Sequence, residues 1–142
     1  MNRLSPGDLA LWELWKRATG TVWDRVVEDV RKETGLSAAD FCVLTRVAES
    51  GGRLRQSRLG AAVGWPRSRL SHHLARMAER GLITRRRTDG GAEVLLTDAG
   101  QVAVQRAGPA HARAVHRHLL DGLDPAERAV LTSVLERLVR PL

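Results

Sequence analysis

Residues 64–82, GWPRSRLSHHLARMAERGL, bring Arg67, Ser68, Arg69, Ser71, His72 and Arg76 into one short span with no acid among them. Guanidinium forks, hydroxyls and an imidazole donate hydrogen bonds, and without carboxylates nearby they form a surface suited to phosphate or to the acceptor-rich edge of guanine. The wider setting carries the same sign. Between Arg53 and Arg87 stand ten arginines and a single acid, Glu79, a net charge of +9. The whole chain of 142 residues carries +7, so the remainder sums to −2. A compositional habit of using arginine would spread it along the chain, whereas an electrostatic footprint for a polyanion concentrates it in this way.

Other chemistries find no footing. There is no G-x-x-x-x-G-K phosphate loop, no G-x-S-x-G elbow and no segment joining acids to histidine. No catalytic residue is therefore assigned, and the chain reads as a non-enzyme without cofactor. One cysteine, Cys42, forms neither an internal disulfide nor a zinc framework. It reads as a small buried apolar residue, with a redox-sensing regulator as the alternative. His72 and His73 are adjacent and His116 and His118 are two apart, so neither pair converges on one point and no metal site is expected. No apolar run reaches the ~20 residues of a membrane span, and the first residues lack a leader pattern, so a cytoplasmic protein is expected.

The elements that would position the basic span follow from periodicity. Residues 8–33 carry Leu11, Trp15, Ala18, Val22, Val26 and Val30 at three- or four-residue steps, one stripe of a long helix that Thr19-Gly20 could bend. Ser37-x-x-Asp40 is a capping-box variant opening a second helix, buried through Phe41, Leu44 and Val47 or Ala48 and ended at Gly51-Gly52. After RLR, a two-turn helix with Leu59, Ala62 and Val63 inward stops at Gly64. The basic helix runs from about Pro66 to Arg80, with Leu70, Leu74 and Met77 toward the core. Its opposite face holds Ser68, Arg69, Ser71, His72 and Arg76, and Arg67 and His73 lie on the flanks. LITRRR and AEVLLT around TDGG form a hairpin whose glycines permit positive φ. Thr97 caps the next helix, which Pro109 should kink near Gly108, and Asp124-Pro125 opens a last one striped by Leu131, Val134, Leu135 and Leu138.

A short helix, a turn, a basic helix and a hairpin form a winged helix-turn-helix, in a mainly α protein with a small β-hairpin wing. The major groove of duplex DNA admits one α-helix, so a helix pinned by a narrow apolar edge can give its remaining surface to the duplex. Arg69, His72 and Arg76 are the candidates for base edges. Arg67, Ser68 and Ser71 suit phosphates, and Arg85, Arg86 and Arg87 suit the flanking backbone or minor groove. A winged-helix module binding protein or RNA is the alternative, but apart from Trp65 the exposed face lacks aromatic anchors.

Residues 37 to 100 resemble the winged helix of MarR-type transcriptional regulators. The likeness lies in RLRQSRLGAAVGWPRSRLSHHLARMAERGLITRR, of an actinobacterial cast, and in VLLTDAG after the wing. The resemblance implies a homodimer through its N- and C-terminal helices, two recognition helices on a palindromic double-stranded operator, and repression relieved by a small aromatic or phenolic ligand. Trp15, Trp23, Arg46 and His111 are the candidate lining of that ligand site. The chain is then one domain, with dimerisation helices at 8–33 and 98–140 and a DNA-binding region at 37–97. The first and last helices and four tryptophans carry more apolar surface than a monomer could cover, which puts the pairing surface at 8–30 and 110–139. One departure concerns the wing, where the family pattern D-x-R-x-x-x-V-x-L-T sets its arginine on Gly90 and its aspartate on Thr88.

Overall fold

The computed structural model describes residues 3–142, which divide into two compact units, one up to Asp29 with His111–Leu142 and the other Val30–Ala110. Two long helices, α1 (Pro6–Thr34) and α5 (Asp98–His118), belong partly to each. Helix α1 opens with Ser5 Oγ accepting from Asp8 N at 3.1 Å and closes on Arg31 and Lys32, charges that complement the helix dipole. It runs unbroken through Thr19-Gly20, where Thr19 Oγ1 donates to Trp15 O at 2.8 Å. Helix α5 likewise continues through Pro109.

In the first unit, α1 and the end of α5 are joined by a 3-10 turn (Leu120–Gly122) and by the last helix, α6 (Pro125–Leu138). Asp124 and Glu127 form a complete capping box with Pro125 in the first turn, the start expected from Asp124-Pro125. Asp29 fixes α1 to α5, because His118 Nε2 lies 2.7 Å and Arg117 Nη1 3.0 Å from its Oδ2. The bond from His118 leads the effects that hold the Asp29 carboxyl below the usual range, and together with the charges of His118 and Arg117 and the Arg117 bond it outweighs the rise from burial. Little else is enclosed. No residue of α6 is buried, and along α1 Leu9, Leu11, Trp12, Leu14, Trp15 and Trp23 are all exposed. Val130, Leu138 and Val139 are also exposed, so this unit leaves a large apolar surface in water.

The second unit is a winged helix built on α2 (Ala38–Glu49), β1 (Arg53–Arg55), α3 (Gln56–Val63), α4 (Arg67–Glu79), β2 (Ile83–Thr88) and β3 (Gly91–Leu96). Its core gathers Leu36, Val43, Leu44, Val47, Leu59, Leu70, Leu74, Met77, Leu82, Ile83, Val94 and Ala107. The wing has a third strand beyond the expected hairpin. β1, the RLR segment, pairs antiparallel with β3 in the order β1-β3-β2, with Arg53 opposite Leu95 and Arg55 opposite Glu93. Three residues are too few to show a period of two, so pairing rather than pattern makes this strand. The β2–β3 turn is closed by Thr88 opposite Gly91, and the positive φ, 119°, falls on Gly91 alone of its two glycines. Thr97 caps α5 as expected, accepting from Gly100 N at 3.0 Å. Gly100 packs so tightly on the Leu82 carbonyl that a Cβ there would collide with its oxygen.

Candidate nucleic-acid interface

The interface begins with the turn between α3 and α4. Gly64, at φ 70°, ends α3 in the left-handed conformation, and Pro66, extended at ψ 149°, starts α4. α3 lies close on α4, since a Cβ at Gly60 would stand 3.4 Å from Leu70 Cδ2. The buried edge of α4 is Leu70, His73, Leu74 and Met77. Arg67, Ser68, Arg69, His72 and Arg76 are exposed and Ser71 is half-buried, so the candidate side chains share the outward surface. His73 departs from its expected flank position and joins the seam. Its three-residue step from Leu70 and four-residue step to Met77 is a core spacing that its polarity obscured.

His73 is buried because it has partners. Arg76 Nη2 donates to His73 Nδ1 at 3.2 Å, which leaves the ring proton on Nε2 facing Asp40 Oδ1 at 2.9 Å. The two atoms approach closely without hydrogen-bond geometry, and both are buried with no other polar contact. Asp40 also completes the capping box of α2, with Asp40 N to Ser37 Oγ 3.1 Å and Ser37 N to Asp40 Oδ2 3.0 Å. The same Oδ2 accepts from Arg80 Nη1 at 2.7 Å. Burial alone would raise this carboxyl, but the Arg80 bond and charge and the Ser37 backbone and hydroxyl bonds together hold it below the ordinary carboxylate range. One acid at the start of α2 thus pins both the middle and the end of α4. The capping box was legible in the sequence, whereas this second use of Asp40, forty residues from Arg80, was not.

Trp65 is half-buried between the helices, its ring edge-on to His73 at 5.6 Å and covered by Arg69 Cζ at 4.4 Å. That stacking holds the Arg69 guanidinium against the turn, at the N-terminal end of the exposed face. Arg85 Nη1 reaches 3.5 Å from Ser71 Oγ, and Gln56, Arg67, Ser68, Ser71, Arg85 and Ala92 line an open groove of about 680 Å³ where α4 meets the wing. Two guanidinium groups and two hydroxyls facing one groove are the donors a phosphate backbone needs. On the strand, Arg85, Arg86 and Arg87 are all exposed, and Arg86 is held by Glu93 at 2.8 Å.

The four candidate ligand residues are not brought to one point within either unit. Trp15 and Trp23 are exposed on α1 in the first unit, which also holds half-buried His111. Arg46 is exposed on α2 in the second, 3.9 Å from Glu49. Cys42 is half-buried. Among the described residues, no group of three or more His, Cys, Asp or Glu could hold a metal ion, and no helix is long and apolar enough to cross a membrane.

Comparison with known proteins adds relatives of the same build. No curated protein matches the chain in sequence. The solved structure of AbsC, a MarR family transcriptional regulator from Streptomyces coelicolor, is 27% identical with a TM-score of 0.86, over 97% of this chain and 95% of that one. Sco3205, a MarR family transcriptional regulator from the same organism solved in complex with DNA, is 26% identical with a TM-score of 0.85, over 97% and 89%. A mutant MarR from E. coli, complexed with operator DNA, shares the fold at 19% identity and a TM-score of 0.78, over 98% and 100%. A family model described as MarR family matches residues 34–92, which span α2 to the wing turn. With that match joined to likeness along nearly the whole chain, the protein is similar in sequence and fold to MarR family transcriptional regulators.

Proposed function

We propose that this chain is a sequence-specific DNA-binding regulator that acts as a homodimer on a palindromic operator, with α4 of each copy in the major groove. The observation that carries this reading is the face of α4. Arg67, Ser68, Arg69, His72 and Arg76 are exposed together, with no acid among them, on a helix whose other edge is locked into the core. A 13-residue helix is about 20 Å long, enough to cross the groove. In this division of labour Arg69, His72 and Arg76 read base edges, Arg67, Ser68 and Ser71 hold phosphates, and Arg85, Arg86 and Arg87 attach the wing to the flanking backbone. The solved complex of Sco3205 with DNA supports the choice of partner.

The dimer follows from what the first unit leaves uncovered. Three tryptophans and several leucines and valines of α1 and α6 stand in water, a surface that a second copy of the same helices would bury. Two-fold pairing would set the recognition helices about one duplex turn, ~34 Å, apart. Both units then serve one regulator, most simply a repressor. A small aromatic effector belongs to the same reading, and quenching of tryptophan fluorescence by phenolic acids would test it.

The deciding experiment selects duplexes from a random pool with the purified protein and titrates the winner across a salt series. Expected are a palindromic consensus and a steep negative dependence of log affinity on log salt. Equal competition by RNA, or a flat salt dependence, would favour a protein- or RNA-binding module instead.

A further inference from the structure

Gly90 occupies the two-residue turn of the wing, and its backbone does not explain the choice of glycine. Its φ is outside the left-handed region that only Gly91 of this turn adopts. Space explains it. A Cβ at Gly90 would run into Arg55 Nη1, with Cζ at 2.7 Å and Nη2 at 2.9 Å. Arg55 arrives from a different part of the chain, as the last residue of β1 and the N-cap of α3. Its guanidinium lies on the bare backbone of the turn, yet the residue remains exposed. The acid across the ladder from it, Glu93, is engaged by Arg86 at 2.8 Å. The wing turn itself contributes one charge, Asp89, of the wrong sign for a phosphate.

The groove beside this turn is lined by Gln56 and Ser57 of α3, Trp65 and Arg67 before and at the start of α4, and Gly90 and Gly91 of the wing. Arg67 therefore stands on one wall and the Gly90 seat of Arg55 on the other. An exposed cation lying over the turn, at the rim of a groove that opens beside the recognition helix, is what an adjacent phosphate would meet. We propose that Arg55 is a further DNA-backbone cation of the wing, lying over Gly90 and serving at the turn where the turn itself carries no cation. The inference rests on the DNA-binding reading above.

Three variants test it, each checked by circular dichroism and titrated against the selected operator and a random duplex of equal length. Arg55→Ala should weaken both duplexes alike and reduce the salt slope of the dimer by about two, one phosphate per copy. Gly90→Ala, which displaces the guanidinium without removing its charge, should weaken both with the fold intact. Arg76→Ala serves as control for α4. If Arg76→Ala weakens binding while Arg55→Ala leaves affinity and slope at wild-type values, the inference fails and the DNA reading stands. An affinity loss in Arg55→Ala with an unchanged slope also overturns it, since a packing role alone would do that. If the wild-type protein shows no salt-dependent duplex binding, the DNA reading is what fails.

Discussion

Asp40→Asn should destabilise the winged helix by about 3 kcal/mol, and the figure can be built from the contacts. The amide is isosteric with the carboxylate but has one acceptor where Asp40 uses two. If its oxygen keeps Arg80 and the Ser37 N–H, the bond to Arg80 loses its charge on one side. Charge-assisted bonds contribute about 1.5–3 kcal/mol, and the exposed Arg80 side chain, at 45%, puts this one at the low end. The amide NH2 then lies against His73 Nε2–H, so a buried close contact of carboxylate and ring N–H becomes one of two donors, at a cost of about 1–3 kcal/mol. Urea unfolding at fixed protein concentration measures the sum, because a dimer's stability depends on concentration.

Acid supplies an independent check. Asp40 titrates lower when folded than its unfolded value near ~3.9, so its contribution is complete above that pH and is lost as pH falls through the folded pKa. Asparagine has no such limb. The gap between wild type and variant should therefore narrow as pH drops below about 4. A variant within about 0.5 kcal/mol of wild type at neutral pH, or a gap constant into acid, would refute the account of Asp40 as the pin of α4.

Three further outcomes follow from the same structure. Arg69→Ala and His72→Ala should each relax base preference at a position of the operator by about 1–3 kcal/mol in competition binding, whereas Arg86→Ala, already held by Glu93, should weaken all duplexes slightly and equally. Gly100→Ala should lower the unfolding free energy by about 1–3 kcal/mol because its methyl meets the Leu82 carbonyl, while Gly108→Ala, with open space around it in α5, should raise it by about 0.5–1 kcal/mol. Trp12→Glu, at a 51% exposed site on α1, should shift the protein toward monomer in sedimentation and reduce operator affinity far more than single-helix charge changes do.

Where local rules act alone, the fold could be read from the chain. The capping box at Ser37, the helix start at Asp124-Pro125, the stop at Gly64, Thr97 as a cap and the Leu70, Leu74, Met77 seam each depend on residues within a turn or two of one another. What escaped depends on distant pairings. Strand β1 exists because β3 lies beside it, and His73 is buried because Asp40 and Trp65 come to it across the helix interface. Gly90 reads in sequence as a lost arginine, and only the fold brings the Arg55 guanidinium over that turn. The outward cations were legible because charge with no apolar period to satisfy has only the surface to occupy.

The same distinction corrects the charge available to a partner. Counted along the chain, residues 53–87 carry +9, but two of their ten arginines are answered by acids from outside that segment. Asp40 takes Arg80 and Glu93 takes Arg86, at 2.7 and 2.8 Å. Both pairs hold the scaffold, one at the end of α4 and one within the wing. Among the described residues, no acid pairs with Arg53, Arg55, Arg58, Arg67, Arg69, Arg76, Arg85 or Arg87. They lie on β1, α3, α4 and β2, the elements of the helix-turn-helix and the wing. Because salt dependence counts the phosphates neutralised, these eight set most of the slope per copy with a reduced share from Arg86, and Arg80→Ala should change stability while leaving the slope where it was.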